Sequence, residues 1–368
     1  MLCTLAFAAT MVARLAISPV VPDVTATFST STGAVGLALS GMWAAYALTQ
    51  FPSGVLADRY GERRVILTAV GVTAAASVLL SLSPTFAVFA LTVVALGAGA
   101  GLHYSVATSL LARQFDDVGR AIGVHVAGGP LAGLVAPVAA AVAVPVFALF
   151  WAQVRPTPAA RPEAPMRSRF ELGPLRELLS RPEMRFTTAV AVGGAFCWQA
   201  TASFLPAFLI GHHGYSATAA SALFSAYFVV HGATQPVLGG LSDRVGRDVA
   251  AALAFGTGIV GYGTLVAGAG LAVVAAIPLV GVSMSWGAPV QTRFIDHLSE
   301  RERAAGFGLV RTVYMILGSL GSVVVGTLAD LAGWGVAFSG LLAVVAVGFL
   351  LTVAAALRGR AMTRSVPG

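Results

Sequence analysis

The chain has 368 residues, of which 57 % are hydrophobic and 10 % charged, with a mean hydropathy of +0.85. A soluble domain carries about 25 % charged residues, so this composition excludes a water-facing globule and points to an all-α integral membrane protein. The 22 basic residues are all arginine and the formal net charge is +7, yet no stretch interleaves clustered arginine with aromatics outside apolar segments, so nucleic acid is not an expected partner.

A membrane helix needs about 20 mostly apolar residues. In chain order, windows of this kind run over 2–22, 34–56, 64–83, 87–111, 186–210, 218–241, 249–270, 272–293, 304–328 and 335–357, ten spans in all. No basic stretch precedes the first apolar run, so it reads as a span and not a signal peptide. Within it Arg14 lies beyond the midpoint, about 18 Å along the helix. A permanent cation there calls for an anion, and a substrate carboxylate could bond it bidentately. The alternatives are a side chain that snorkels outward or a pairing with Asp23.

On the second span Tyr46 and Gln50 are four residues apart and share a face. His103 and Tyr104 fall midway along the fourth, after the run Gly97-Ala-Gly99-Ala-Gly101, which suits close helix packing. Trp198 and Gln199 belong to the seventh span, His231 and the following Gln235 to the eighth, Trp286 and Gln291 to the tenth, and Arg311 to the eleventh. Arg311 is about 12 Å from the arginine-rich end of its helix, within snorkelling reach of it. A histidine exchanges protons near neutral pH, so His103, His231 and His125 are proton carriers or hydrogen-bonded packing residues. Trp43 and Trp334 read as lipid-facing or interfacial anchors.

All 15 acidic residues fall outside the middle of the spans, with Asp23 and Asp330 near one face and the rest in the arginine-bearing loops or linker. This disfavours a buried carboxylate that binds a cationic drug or relays a proton. Cys3 and Cys197 offer neither a disulfide framework nor a metal site. No phosphate loop, metal-ligand helix pair or nucleophile elbow occurs, so neither an enzyme nor a cofactor is expected.

Arginines crowd alternate loops and are absent from the opposite ones, and short cytoplasmic loops retain them. The C-terminus and the linker at 155–185 are therefore expected to be cytoplasmic. The chain also repeats itself. Gly54-Val-Leu56-Ala-Asp58-Arg59-Tyr-Gly61 recurs 185 residues on as Gly239-Gly-Leu241-Ser-Asp243-Arg244-Val-Gly246, and Arg120-Ala-Ile-Gly123 recurs as Arg303-Ala-Ala-Gly306.

This doubled G-x-L-x-D-R-x-G signature around a charged central loop resembles the major facilitator superfamily over the whole chain. The copy departs in one detail, since Arg247 follows Gly246 directly whereas Arg63 stands two places after Gly61. The resemblance implies two six-helix bundles, nominally 12 spans, with the first, fourth, seventh and tenth lining a central pathway. It also implies a gating role for Gly54, Asp58, Arg59, Gly61, Arg63 and Arg113, and for Gly239, Asp243, Arg244, Gly246 and Arg293. On physical grounds Gly54 and Gly61 permit a close helix approach and a tight turn, while the charges bond helix ends at the rim or merely fix topology.

Measured against the repeat, the stretch 121–153 is about 20 residues too short for two full spans. A single crossing would reverse the arginine pattern, so a shortened fifth and sixth hairpin is expected. The expected organisation is a bundle at 1–154, the linker 155–185, a second bundle at 186–358 and a tail at 359–368. The expected function is a secondary active transporter of a small organic anion in the cell membrane. It would act as a monomer, with a small solute, the bilayer and a coupling proton as partners. Proton-coupled drug efflux and a non-transporting sensor or decayed paralogue stand as alternatives.

Overall fold

The computed structural model describes residues 2–114, 148–155, 173–299 and 303–364, and no strand occurs among them. The first half comprises α1 (Leu2–Leu15), a 3-10 turn (Ser18–Val20), α2 (Val21–Thr27), α3 (Thr32–Tyr60), α4 (Glu62–Ser81) and α5 (Phe86–Gln114). After a helical stretch at 148–153 come α6 (Gly173–Ser180), α7 (Pro182–His213), α8 (Ala217–Val245) and α9 (Arg247–Ala267). The chain continues with α10 (Leu271–Ser283), a 3-10 turn (Met284–Trp286), α11 (Gly287–Asp296), α12 (Arg303–Ala332) and α13 (Trp334–Arg364). The expected hairpin over 121–153, with His125 and Arg120, lies outside the described residues except at 148–153.

The repeat seen in the sequence reappears in how two helices begin and end. Ser31 caps α3 by accepting from Ala34 N at 3.0 Å, and Ser216 caps α8 by accepting from Ala219 N at 3.2 Å. Both helices stop at a glycine with positive φ, Gly61 at 84° and Gly246 at 95°, a conformation that costs glycine nothing. The tight turns expected at the two signatures are therefore present. Two spans are broken: α1 and α2 by the turn that contains Pro19, which has no N–H to give, and α10 and α11 by the turn ending at Trp286.

Eight helical units among the described residues are long and apolar enough to cross a membrane, against ten expected windows. The two that fall short, α3 and α8, are full helices of 29 residues. Their polar groups lower the hydropathy because they serve contacts inside the protein. Ser40 Oγ donates to Ser319 O at 2.6 Å, Thr49 Oγ1 to Ala98 O at 3.0 Å, and Thr234 and Ser285 share a hydrogen bond of 2.7 Å.

Helix α3 packs between α5 and α12. A Cβ at Gly97 would fall 2.1 Å from Met42 O, one at Gly101 2.1 Å from Thr49 Oγ1, and one at Gly99 2.7 Å from Val72. The glycine run on α5 is therefore what lets α3 and α4 approach. Gly54 differs from expectation, since a Cβ there would meet nothing within 4 Å. The close approach on α3 belongs to Gly36 instead, where a Cβ would lie 2.5 Å from Ser322 O of α12.

That contact is part of a seam joining the two halves at the arginine-poor end. Asp330 accepts from Thr32 N at 3.0 Å and Gly33 N at 2.5 Å, and Ser40 Oγ accepts from Val323 N at 2.9 Å. Nearby, Ser18 Oγ donates to Ser203 O at 2.9 Å. At the arginine-rich end, ion pairs tie helices of the second half to one another. Arg293 of α11 reaches Glu183 of α7 at 2.6 Å and Asp248 of α9 at 2.9 Å, while Arg247 reaches Asp296 at 3.0 Å and also pairs with Asp243.

Candidate functional site

Between the halves, below the seam, lies a cavity of about 430 Å³. The first half contributes Arg14 from α1, Trp43 and Tyr46 from α3, and Tyr104 from α5. The second contributes Trp198 and Gln199 from α7, His231 and Gln235 from α8, Trp286 and Gln291 around the break before α11, and Arg311 and Tyr314 from α12. Eight of the ten substrate positions expected from sequence thus line one cavity, namely Arg14, Tyr46, Tyr104, Trp198, Gln199, His231, Trp286 and Arg311.

His103 and Gln50 do not line it. His103 is fully buried and stacks on Phe7, ring centroids 6.2 Å apart. Successive helical residues diverge by about 100°, so Tyr104 faces the cavity and its neighbour turns into the first half. Gln50 is 6 % exposed, with Nε2 3.7 Å from Met315 Sδ, so Met315 covers it. Trp43 is a correction in the other direction. It is 1 % exposed, donates from Nε1 to Ser203 Oγ at 3.3 Å, and meets Trp198 edge-on at 5.2 Å. It is a cavity wall and not a lipid anchor, whereas Trp334 is half-buried at the start of α13, beside Phe204 and Phe338.

Wall residues beyond the expected set include Trp43, Phe228 and Tyr314. Each stands three residues before or after a polar position that was singled out: Tyr46, His231 and Arg311. The i, i+3 spacing that puts such pairs on one helix face was the signal available.

Arg14 is 2 % exposed, which removes the snorkelling alternative, and it makes no ion pair with Asp23. Its Nε donates to Thr10 O at 3.2 Å and its Nη2 to Met11 Sδ at 2.7 Å. The guanidinium lies 3.9 Å from the Tyr46 ring centroid and 5.2 Å from that of Trp43, a cation–π arrangement that holds the charge without neutralising it. Arg311, on the same cavity, sits 4.5 Å from the Tyr104 ring centroid, and its buried Nε has no hydrogen-bond partner. Neither guanidinium has a carboxylate partner among the described residues.

The rest of the wall is held by the helix break. Ser285 Oγ donates to His231 O at 3.1 Å, while the His231 ring stacks on Tyr227 at 6.2 Å with Nδ1 unbonded. Trp286 lies against the backbone of Gly194, where a Cβ would be 2.3 Å from the indole, and its Nε1 has no partner. Gln199 donates to Met315 O at 3.1 Å and keeps Oε1 free. Among the described residues, no group of three or more His, Cys, Asp or Glu is placed to hold a metal.

The rim positions diverge between the halves. In the first, Asp58 is half-buried, Arg59 is exposed with its guanidinium 5.6 Å from the Tyr60 ring, and Arg63 donates to Trp151 O at 2.6 Å and to Val154 O. Arg63 therefore fastens the 148–155 segment. Arg113 falls near the end of α5, its side chain outside what is described. In the second half Asp243 pairs with Arg247, not with its neighbour Arg244, which is exposed. The reason is local: α8 ends at Gly246, and Arg247 starts α9 pointing back across the turn. Gly239 makes only an ordinary contact, its notional Cβ 3.7 Å from Ala288.

The family model described as Major Facilitator Superfamily matches the chain over residues 2–222 and 195–366. Among solved structures, the chain is similar to a bacterial homolog of the human lysosomal transporter Spinster in an inward-facing, unoccupied conformation. That match has a TM-score of 0.75 and 18 % identity, covering 97 % of this chain and 93 % of the other. It is also similar to a mutant of the nucleoside transporter NupG, with a TM-score of 0.77, 14 % identity and coverage of 96 % and 98 %. The human organic anion transporter MFSD10 matches with a TM-score of 0.68, 15 % identity and coverage of 95 % and 98 %. No curated protein matches the sequence.

Proposed function

The chain belongs to the Major Facilitator Superfamily and is a multi-pass membrane transporter; from that premise we propose that it moves a small organic anion by alternating access between two rocking halves. The observation that carries the anion reading is the pair of guanidinium groups, buried Arg14 and half-buried Arg311, in one cavity without a carboxylate partner among the described residues. An uncompensated cation is costly at this depth, and a ligand carboxylate is the group that relieves it with bidentate geometry.

The positive-inside pattern supports a cytoplasmic arginine-rich end and C-terminus, with the sealed seam on the outer side and the cavity facing inward. In this reading residues 1–154 and 186–358 are the moving bodies and 155–185 is the linker. The protein works as a monomer in the cell membrane. Gradients drive the cycle, and His231, which lines the cavity, is the group that exchanges a coupling proton. Hydrophobic-cation efflux is the second reading, favoured by the aromatic walls at Trp43, Trp198 and Phe228.

Counterflow in proteoliposomes tests this against small carboxylates and lipophilic cations, comparing the native chain with Arg14→Gln. Carboxylate exchange lost in the variant supports the anion reading. Cation exchange indifferent to the variant moves the protein to efflux, and folded protein without flux refutes transport of either class.

A further inference from the structure

The two cavity cations come from opposite halves of the molecule, Arg14 on α1 and Arg311 on α12. We propose that the substrate carries two carboxylates on a flat apolar body, one carboxylate held by Arg14 and the other by Arg311. This rests on the anion reading above and narrows it to a class.

The first argument is charge. A buried cation that keeps its charge without a counter-ion costs several kcal/mol even after relaxation, and this cavity is faced by buried Arg14 and half-buried Arg311, neither with a carboxylate partner among the described residues. A monocarboxylate brings one negative charge against two positive ones. A dicarboxylate compensates both, and joins the two halves through its own skeleton.

The second argument is that the guanidinium groups are positioned and still have donors to give. Arg14 is fixed by Thr10 O at its Nε, Met11 Sδ at its Nη2 and the Tyr46 ring, and a guanidinium carries five N–H donors. Arg311 rests on Tyr104 and has its buried Nε unbonded. Trp286, only 5 % exposed, lines the same cavity and keeps its buried Nε1 without a partner. These unspent donors match a ligand rich in acceptors.

The third argument concerns the body between the acids. Trp43 and Trp198 meet at 74° with centroids 5.2 Å apart, and Trp198 meets Phe228 at 83° and 6.4 Å. Edge-to-face aromatic surfaces of this kind accept a ring by stacking, so an aromatic dicarboxylate fits the walls better than an open-chain one.

Isothermal titration calorimetry of the purified full chain in detergent, with benzoate, phthalate and adipate as probes, tests the assignment. Phthalate is expected to bind at least tenfold more tightly than benzoate, with adipate between them. Arg14→Gln and Arg311→Gln are each expected to bring phthalate to the level of benzoate, with circular dichroism melting showing that both variants fold. Benzoate binding as tightly as phthalate to the native chain overturns the two-acid site while leaving the anion reading standing. Adipate matching phthalate overturns the aromatic body, and absence of binding by all three to folded protein overturns this inference and the anion reading together.

Discussion

Two glycines on one helix should respond oppositely to the same substitution. In a helix interior, Gly→Ala is worth about 1 kcal/mol in the helix's favour, and at Gly54 nothing opposes that gain because a Cβ meets nothing within 4 Å. At Gly36 the new methyl would lie 2.5 Å from Ser322 O, 3.1 Å from Ser322 C and 3.2 Å from Val323 Cα. All three are backbone atoms, so no rotamer change relieves the clash. Overpacking of this kind costs about 1–3 kcal/mol, and here the strain can be released by parting α3 from α12 and opening the seam. A bias of that size shifts a two-state population by about 5- to 150-fold. The assay is pulsed dipolar spectroscopy with spin labels at the exposed positions Thr27 and Leu331, with Cys3 and Cys197 replaced by alanine. Gly36→Ala should add a longer-distance population, and Gly54→Ala should not. Identical distance distributions in both variants, each folded, would refute the claim that the Gly36 contact holds this end closed.

Three further outcomes follow from the packing and the rim. A double-mutant cycle on Arg293→Met and Asp248→Asn, 12 % and 24 % exposed as side chains, should show a coupling of about 1 kcal/mol in thermal unfolding, and a coupling near zero would make the pair ornamental. Gly101→Ala would place its Cβ 2.3 Å from Tyr46 O as well as against Thr49, so it should lower the melting temperature and weaken anion binding by displacing Tyr46; an unchanged melting curve contradicts the packing described. Asp58→Asn should slow counterflow while leaving substrate affinity intact, and wild-type exchange rates in that variant would remove Asp58 from the gate.

The spans, the repeat and the polar set of the cavity were legible because each depends on one helix at a time. Apolar length places a helix, a capping serine and a terminal glycine set its ends, and an arginine in an apolar run is conspicuous wherever the helix turns. What was not legible depends on how one helix is rotated or tilted against another. His103 and Tyr104 are adjacent and equally plausible in one dimension, and only the seating of α5 on α1 decides which faces the cavity. An indole such as Trp43 serves a lipid interface or a pocket wall, and Ser203 from the other half decides between them. Gly54 and Gly36 are both glycines of α3, yet the tilt of the halves brings α12 to one and away from the other. The partner of Asp243 depended on the direction in which the chain leaves Gly246, so Arg247 and not Arg244 met it.

The two ends of the molecule are held by different chemistry, and the difference bears on the cycle. At the arginine-poor end the halves touch through glycine and serine backbones, with Asp330 capping the start of α3 by two hydrogen bonds. Such a seam has little side-chain bulk to rearrange, so it can part and re-form as two rigid surfaces. At the other end Arg293 and Arg247 bind α7, α8, α9 and α11 to one another within the second half, which stiffens that end of it. Arg14 and Arg311 then ride on different bodies and share one cavity. A ligand can shift a conformational equilibrium only by its differential affinity for the two states. A dianion that spans both guanidinium groups has that differential, because it draws the bodies together, whereas an empty cavity leaves two like charges that resist approach. Net closure should therefore be faster with ligand bound than without it, and exchange of anion for anion should outrun net flux in the same proteoliposomes.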